Sequence, residues 1–480
     1  MRTMLKSAFN IEKARAFYMG NVYPLVICAL VLAGSVTGLE YFFNFAVTAL
    51  AVGALLICQS VKPFIAPLCT YIFQISLEHS FVKITDQGIN ATDYYYTGWR
   101  LPVSILIVVL ILFGFFFFFF KNRIYKRFSR KDTPLLVPAL AFSAALIFNG
   151  AFSSGWSFSG LLLGSLHAFV YSFLFFYIYH GFSEKESTAE LMKYMAYLAM
   201  LIALVILGEL LDLYLTSDEI FRDGAIVKDR VFLGWGIWNL VGVCISMLIP
   251  MIFYGAMNNK YPWLYFAVAT LALLGAVMTM SRNALIFASL SYAASALIGC
   301  FYGKNRRGFR IITAIGILGV VALGIITFSK IRALLGDYFS RGFDNNGRFE
   351  LWGQGIDNFL ASPVFGSGFY GYGEYELAHG PLPKMAHNTL VELLSATGAF
   401  GLLAYLWYRV KSLIPVFKRP SLMKTMAALS IALILFSSLL DNFVFNVYPM
   451  FFYITLLALI HRDSREDTLP CDMSAEDKPE

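Results

Sequence analysis

Fourteen apolar stretches divide this chain almost from end to end, and most approach the roughly 20 residues a helix needs to cross a hydrocarbon core. They fall near 23–38, 42–60, 63–78, 101–120, 134–150, 158–180, 190–214, 233–256, 261–280, 283–302, 310–328, 388–409, 424–441 and 445–461. Lipid offers no partner to an open backbone, so such stretches must close their hydrogen bonds internally, as helices. Lys62, Pro63 and Pro67 interrupt the second and third stretches, which leaves twelve spans if that pair does not cross. The expected fold class is therefore all-α: a polytopic transmembrane helical bundle of 12–14 spans, with one large extracytoplasmic loop containing short amphipathic helices. Composition agrees, at 58% hydrophobic and 14% charged, where soluble domains run to about 45–50% and roughly 25%. A mean hydropathy of +0.67 excludes a secreted domain, a nucleic-acid binder and a disordered scaffold.

The net charge of +7 is mostly a topology signal. With the N-terminus placed inside, 26 of the 37 Lys and Arg residues fall on the inner side and 11 on the outer. That is the asymmetry of the positive-inside rule. Both termini are then expected to be cytoplasmic, in a multi-pass protein of the cytoplasmic membrane. Met1 to Gly20 carries four basic residues and no apolar h-region of its own, so the first span reads as a retained anchor. The six cysteines are scattered without metal or redox spacing and are given no function.

One segment breaks the pattern of short connections. The loop 329–387 is by far the longest, is rich in Gly, Phe and Tyr, and falls on the outer side. Long ordered loops are usually functional. Within it, Phe349, Trp352, Ile356 and Phe359 recur at helical spacing, which predicts an amphipathic helix at the membrane surface. The glycine-rich run after Pro363 would turn the chain back toward the next span.

Candidate chemistry gathers on the same side. Arg282 lies between two spans with almost no loop. An arginine there either snorkels to headgroups or, held by two helix ends, clamps a phosphate bidentately. His387 opens the span 388–409, with Asn388 as a plausible N-cap. The helix dipole favours a neutral ring there, suited to a general base; an isolated loop histidine is the plain alternative. Arg341 and Arg348 precede the amphipathic helix, as phosphate ligands or as solvated charges. Glu209, Asp212 and Asp441 lie near outer helix ends, either interfacial or lining an acceptor path.

These pieces resemble the O-antigen ligase and polysaccharide polymerase superfamily of bacterial envelope glycosyltransferases. SRNALI at 281–286 looks like the family's Ser-Arg element, and GRFELWGQGIDNFLASPVFGSG at 347–368 resembles the stretch that opens its large outer loop. His387-Asn388, nine residues, Gly398, two residues and Gly401 fit the ligase-type pattern. RVFLGWGIWNLVGVCISMLIP at 230–250 is a weaker echo. The resemblance covers about the C-terminal half. It divides the chain into a cytoplasmic segment 1–22, an N-terminal transmembrane region 23–228, a ligase-like core 229–462 and a polar tail 463–480.

The resemblance implies a reaction. A glycan would move from an undecaprenyl-pyrophosphate carrier to an acceptor hydroxyl, on a glycan or a lipid-linked glycan, at the outer face of the membrane. His387 would be the catalytic base; Arg282, Arg348 and Arg341 would hold the donor pyrophosphate, with inversion and without a cofactor or metal. No acidic metal cluster appears in the outer segments, and no nucleic-acid partner is expected. A polymerase of lipid-linked repeat units would use the same donor chemistry. A transporter or flippase, the reading from another class, would place charges deep in several spans and break long helices near the midplane.

Overall fold

The computed structural model describes residues 11–70, 84–85, 88–89, 100–128, 133–153, 156–217, 221–222, 225–226, 231–233, 236–259, 261–303, 306–326, 348–369 and 386–466. The chain forms an all-α bundle. Its first helices are α1 (Ile11–Met19), α2 (Val22–Thr37), α3 (Glu40–Ile57), α4 (Lys62–Thr70) and α5 (Arg100–Lys121). Then come α6 (Leu136–Ile147), α7 (Phe158–Ala168), α8 (Phe175–Gly181) and α9 (Thr188–Thr216), with a π-helical segment, Phe169–Leu174, joining α7 to α8. The second half supplies α10 (Trp238–Asn258), α11 (Pro262–Met278), α12 (Arg282–Tyr302) and α13 (Arg306–Ile326). After these follow α14 (Arg348–Ala361), α15 (Thr389–Lys418), α16 (Leu422–Ser437) and α17 (Val447–Glu466). Strand structure among the described residues is limited to two-residue pairings in the 84–89, 221–226 and 232–237 turns.

Among the described residues, five segments are each long and apolar enough to cross a membrane unaided: Gly160–Gly181, Thr188–Thr216, Trp238–Asn258, Arg282–Tyr302 and Thr389–Lys418. The middle of these, α10, is buried along its whole apolar window and packs against α9, α11, α12 and α16. The two halves of the chain interlock, because α15 lies on α6 and α17 lies on α8. α1 meets α2 at 71°, and so lies across the end of the bundle.

Among the described residues, side-chain bonds gather connections at two ends of the bundle. At one end, basic side chains donate to the carbonyls left open where helices finish. Lys121 Nζ reaches Leu56 O at 2.7 Å, Arg127 reaches His180 O at 3.2 Å, and Arg310 Nε reaches Cys300 O at 3.0 Å. Arg462 reaches Ser183 O and Glu186 O at 2.8 and 2.7 Å. Positive charge at a helix C-terminus satisfies orphan carbonyls and complements the macrodipole. Lys121, Arg127 and Arg310 thus cap helix ends, and Arg462 ties down the turn that follows Gly181. At the other end lie Asn239, Ser281, Ala386, His387 and the turn 438–446, joined by the contacts described below. A helix of 21 residues such as α12 separates the two ends by roughly 30 Å.

Two features depart from the expectation of simple spans. The stretch 388–409 extends to Lys418 and is broken at Gly398, where the backbone turns to φ 66, ψ −167. Arg409 ends the stretch 388–409 and is one of the 26 Lys and Arg residues assigned to the inner side as a loop charge, yet it is buried inside α15. The rings of Tyr171, Tyr405, Tyr408 and Tyr453 surround its guanidinium at 4.7 to 5.4 Å. It donates to the hydroxyls of Tyr453 and Tyr171. Cation–π faces and phenolic oxygens make up for lost water, which is why the charge tolerates this depth. Tyr171 belongs to the π-helical segment and also donates to Val444 O at 3.0 Å, tying this buried arginine to the turn at the far end.

Candidate functional site

The site is built where α15 starts. Asn388 caps the helix, its side-chain oxygen accepting from Leu390 N at 2.9 Å and Val391 N at 3.2 Å. Its amide donates to Leu439 O at 3.0 Å, and Thr389 N donates to Ser438 O at 2.9 Å. The cap therefore anchors α15 to the turn between α16 and α17. His167 supports that turn from below, its ring lying 2.8 Å from both Leu163 O and Phe445 O.

This anchoring brings His387 onto Asp441. Nδ1 lies 2.9 Å from Oδ1. The imidazole is 44% exposed and the carboxylate only 14%, so the ring is open to a reactant while the acid behind it is sheltered. A carboxylate accepting from Nδ1–H fixes the tautomer that leaves the Nε2 lone pair free for a proton. Burial alone would push the Asp441 carboxyl up. The hydrogen bond and charge of His387, the Asn442 N–H and the charge of Arg348 outweigh it and hold the group below its ordinary range.

A polar chain continues from the acid. Asn239 Nδ2 faces Asp441 Oδ2 at 3.4 Å, and Ser281 Oγ donates to Asn239 Oδ1 at 2.7 Å. Ser281 in turn caps α12, accepting from Ala284 N at 3.2 Å. Arg282 is the first residue of that helix and its side chain is exposed. Arg348 opens α14, partly exposed and near enough for its charge to act on Asp441. The structure thus brings His387, Asn388, Arg348 and the start of the Arg282 helix to one end of the bundle. Arg341 lies outside the described residues. Among the described residues no three His, Cys, Asp or Glu side chains converge as metal ligands.

α14 is amphipathic in the sense expected. It buries Leu351 and Gly355 and packs on α15, while Phe349, Ile356 and Leu360 remain exposed. Trp352, on the predicted apolar face, turns inward and donates Nε1–H to Ala386 O at 2.8 Å.

Below the cap, the break in α15 is filled by the run Pro363–Gly368. Ser367 N and Gly368 N donate to Ser395 O and Ala396 O at 2.8 and 3.0 Å. Ala399 N and Phe400 N donate to Pro363 O and Val364 O at 2.9 and 3.2 Å. Four backbone bonds thus replace those lost at Gly398, which is how broken helices persist inside a membrane protein. Asn149 ties the same loop to the α6–α7 turn, accepting from Phe369 N at 3.0 Å. Gly401 packs against the Thr397 side chain one turn further on. The break is therefore closed by backbone bonds from the Pro363–Gly368 run and lies one short helix beneath His387.

Residues 266–406 match the family model described as O-Antigen ligase. That segment of the chain is similar to O-antigen ligases. No curated protein matches it. The O-antigen ligase segment starts inside α11 and ends inside α15, so it contains Arg282, Arg348, His387, Gly398 and Gly401. Asp441 and Asn239 lie outside it. Sequence reasoning noted Asp441 only as one of three acids near helix ends, and Asn239 only within a longer echo. The signal that unites them with His387 is spatial: the Nδ1 contact spans 54 residues of chain.

Proposed function

We propose that this protein transfers a glycan from an undecaprenyl-pyrophosphate carrier to an acceptor hydroxyl at the outer face of the cytoplasmic membrane. The observation that carries the reading is the His387–Asp441 pair, wired through Asn239 to Ser281 beside Arg282, with Arg348 close by. In the proposed step the acceptor hydroxyl gives its proton to His387 Nε2 as its oxygen bonds to the anomeric carbon. The bond from that carbon to the pyrophosphate oxygen breaks on the opposite face, and the carrier leaves with the electron pair. Inversion follows from attack opposite the leaving group. Arg282 and Arg348 would offer fixed cations where negative charge grows. The energy comes from the sugar–pyrophosphate bond, since ATP is not available on that side. A ligase and a polymerase share this donor half and differ in the acceptor.

The test is turnover by purified protein of lipid-linked glycan isolated from the source membranes, read as release of undecaprenyl pyrophosphate. Arg282→Lys keeps the charge and loses the bidentate fork, and should lower kcat/KM by about 10²-fold. Wild-type rates in that variant would mean that Arg282 merely meets headgroups. A strong chelator should leave turnover unchanged; loss restored by a divalent cation would replace the arginine mechanism with a metal-assisted one.

A further inference from the structure

His387 stands in a left-handed backbone conformation, φ 50, that a β-substituted residue rarely adopts. Something has to hold it there. Asp441 fixes the ring, while the main chain is fixed one residue earlier, at Ala386. That residue is fully buried and gripped on both sides: its N–H donates to Glu392 Oε2 at 2.8 Å, and its carbonyl accepts from Trp352 Nε1 at 2.8 Å.

Glu392 is the fourth residue of α15 and is itself fully buried. It reaches back over the Asn388 cap, a relative of the capping box shifted by one position and reaching two residues further back. Its other oxygen, Oε1, has no hydrogen-bond partner among the described residues. An unsatisfied buried carboxyl oxygen is costly and calls for a reason. Trp352 grips the other side from α14, four residues after Arg348 and therefore on the same helix face. Ala386 is thus the joint between the arginine's helix and the histidine.

We infer that Glu392 and Trp352 are positioning residues for the transfer reaction: by clamping Ala386 from both sides they set the place of His387 and its spacing from Arg348. The inference rests on the glycan-transfer reading above. The two sides of the clamp have different consequences. Glu392 acts on the base alone, whereas Trp352 also holds the helix that carries Arg348.

The experiment uses the full-length purified protein with the same membrane-derived lipid-linked glycan. Misplacing a reacting group by about 1 Å costs on the order of 10²-fold. Glu392→Leu should therefore lower kcat by about 10- to 100-fold with donor KM within about threefold. Glu392→Gln, whose amide oxygen accepts the same bond, should recover kcat to within about fivefold of wild type. Trp352→Phe should lower kcat and also raise donor KM. Because both act on one residue, Ala386, Glu392→Leu/Trp352→Phe should fall no more than about threefold below the worse single variant. Hydrogen exchange at the Ala386 amide should be faster in Glu392→Leu and slow in Glu392→Gln.

Wild-type kcat in Glu392→Leu, a Gln variant no better than Leu, or full additivity in the double variant would overturn the inference. Should Glu392→Leu fail to accumulate, Trp352→Phe decides, and unchanged kcat and KM there would overturn it. His387→Ala separates the two levels. Unchanged turnover in His387→Ala overturns the transferase reading itself, whereas an inactive His387→Ala beside an unaffected Glu392→Leu overturns only the clamp.

Discussion

Alanine in place of His387 should cut turnover of lipid-linked donor by about 10³-fold, within the 10²–10⁴ that a positioned general base contributes. Asp441→Asn should come close to it. Asparagine keeps the shape of the side chain, but its amide can donate to Nδ1, which stabilises the tautomer with the proton on Nε2 and removes the lone pair that must accept. The Asp441 carboxyl is held below its ordinary range. Its contribution to the fold is therefore complete above the free value of about 3.9 and is lost only as pH falls through the lower folded value. Wild-type turnover should therefore not suffer from protonation of this carboxylate at any pH above the free value. The measurement is the initial rate of undecaprenyl pyrophosphate release, with a thermal melt of each variant to show an intact fold. Full activity in Asp441→Asn would reduce the 2.9 Å contact to a structural tether.

What was legible in the sequence was whatever is periodic or local. Apolar length marks helices because lipid leaves the backbone no other partner, and α2, α3, α5 and α9 to α12 lie where the runs lie. The helix Arg348–Ala361 is readable from the spacing of Phe349, Trp352, Ile356 and Phe359, of which Phe349 and Ile356 are exposed while Trp352 turns inward to Ala386 O. Tertiary compensation is not periodic. Arg409 reads as a loop charge because nothing nearby in sequence announces Tyr171 and Tyr453, 238 and 44 residues away. The run 388–409 reads as one unbroken span because Gly398 differs from a tolerated helix glycine only through its contact with Val364 and Gly366. His387 stands out through its motif, but its partner stands in a turn between two other helices. The pairing needs α15, α16 and α17 already assembled. The site is thus half a motif and half a consequence of packing.

The same dependence makes Gly398 the position where the smallest change should do the most structural damage. At φ 66, ψ −167 its backbone occupies a region that is essentially glycine's alone, worth about 1–3 kcal/mol of strain for any other residue. A Cβ there would run into the Val364 carbonyl and come within 2.7 Å of Gly366 N. Both obstacles are backbone atoms, so no rotamer relieves them. Gly366 mirrors the arrangement, at φ 70 with Thr397 N 2.5 Å from its own would-be Cβ. The two glycines let loop and broken helix approach closely enough to exchange four backbone bonds. Gly398→Ala should therefore cost upward of about 4 kcal/mol, strain plus lost pairing, in the range reserved for such mechanisms. The purified variant should melt well below wild type in detergent, be cut readily by protease within 363–369, and lose transfer activity. Gly353→Ala is the control. It lies in α14 with nothing within 4 Å of a Cβ, so alanine there should be neutral or stabilise by up to about 1 kcal/mol. Should Gly398→Ala melt and turn over like wild type, the docked loop would not be what holds α15 in two pieces, and the short helix presenting His387 would need another support.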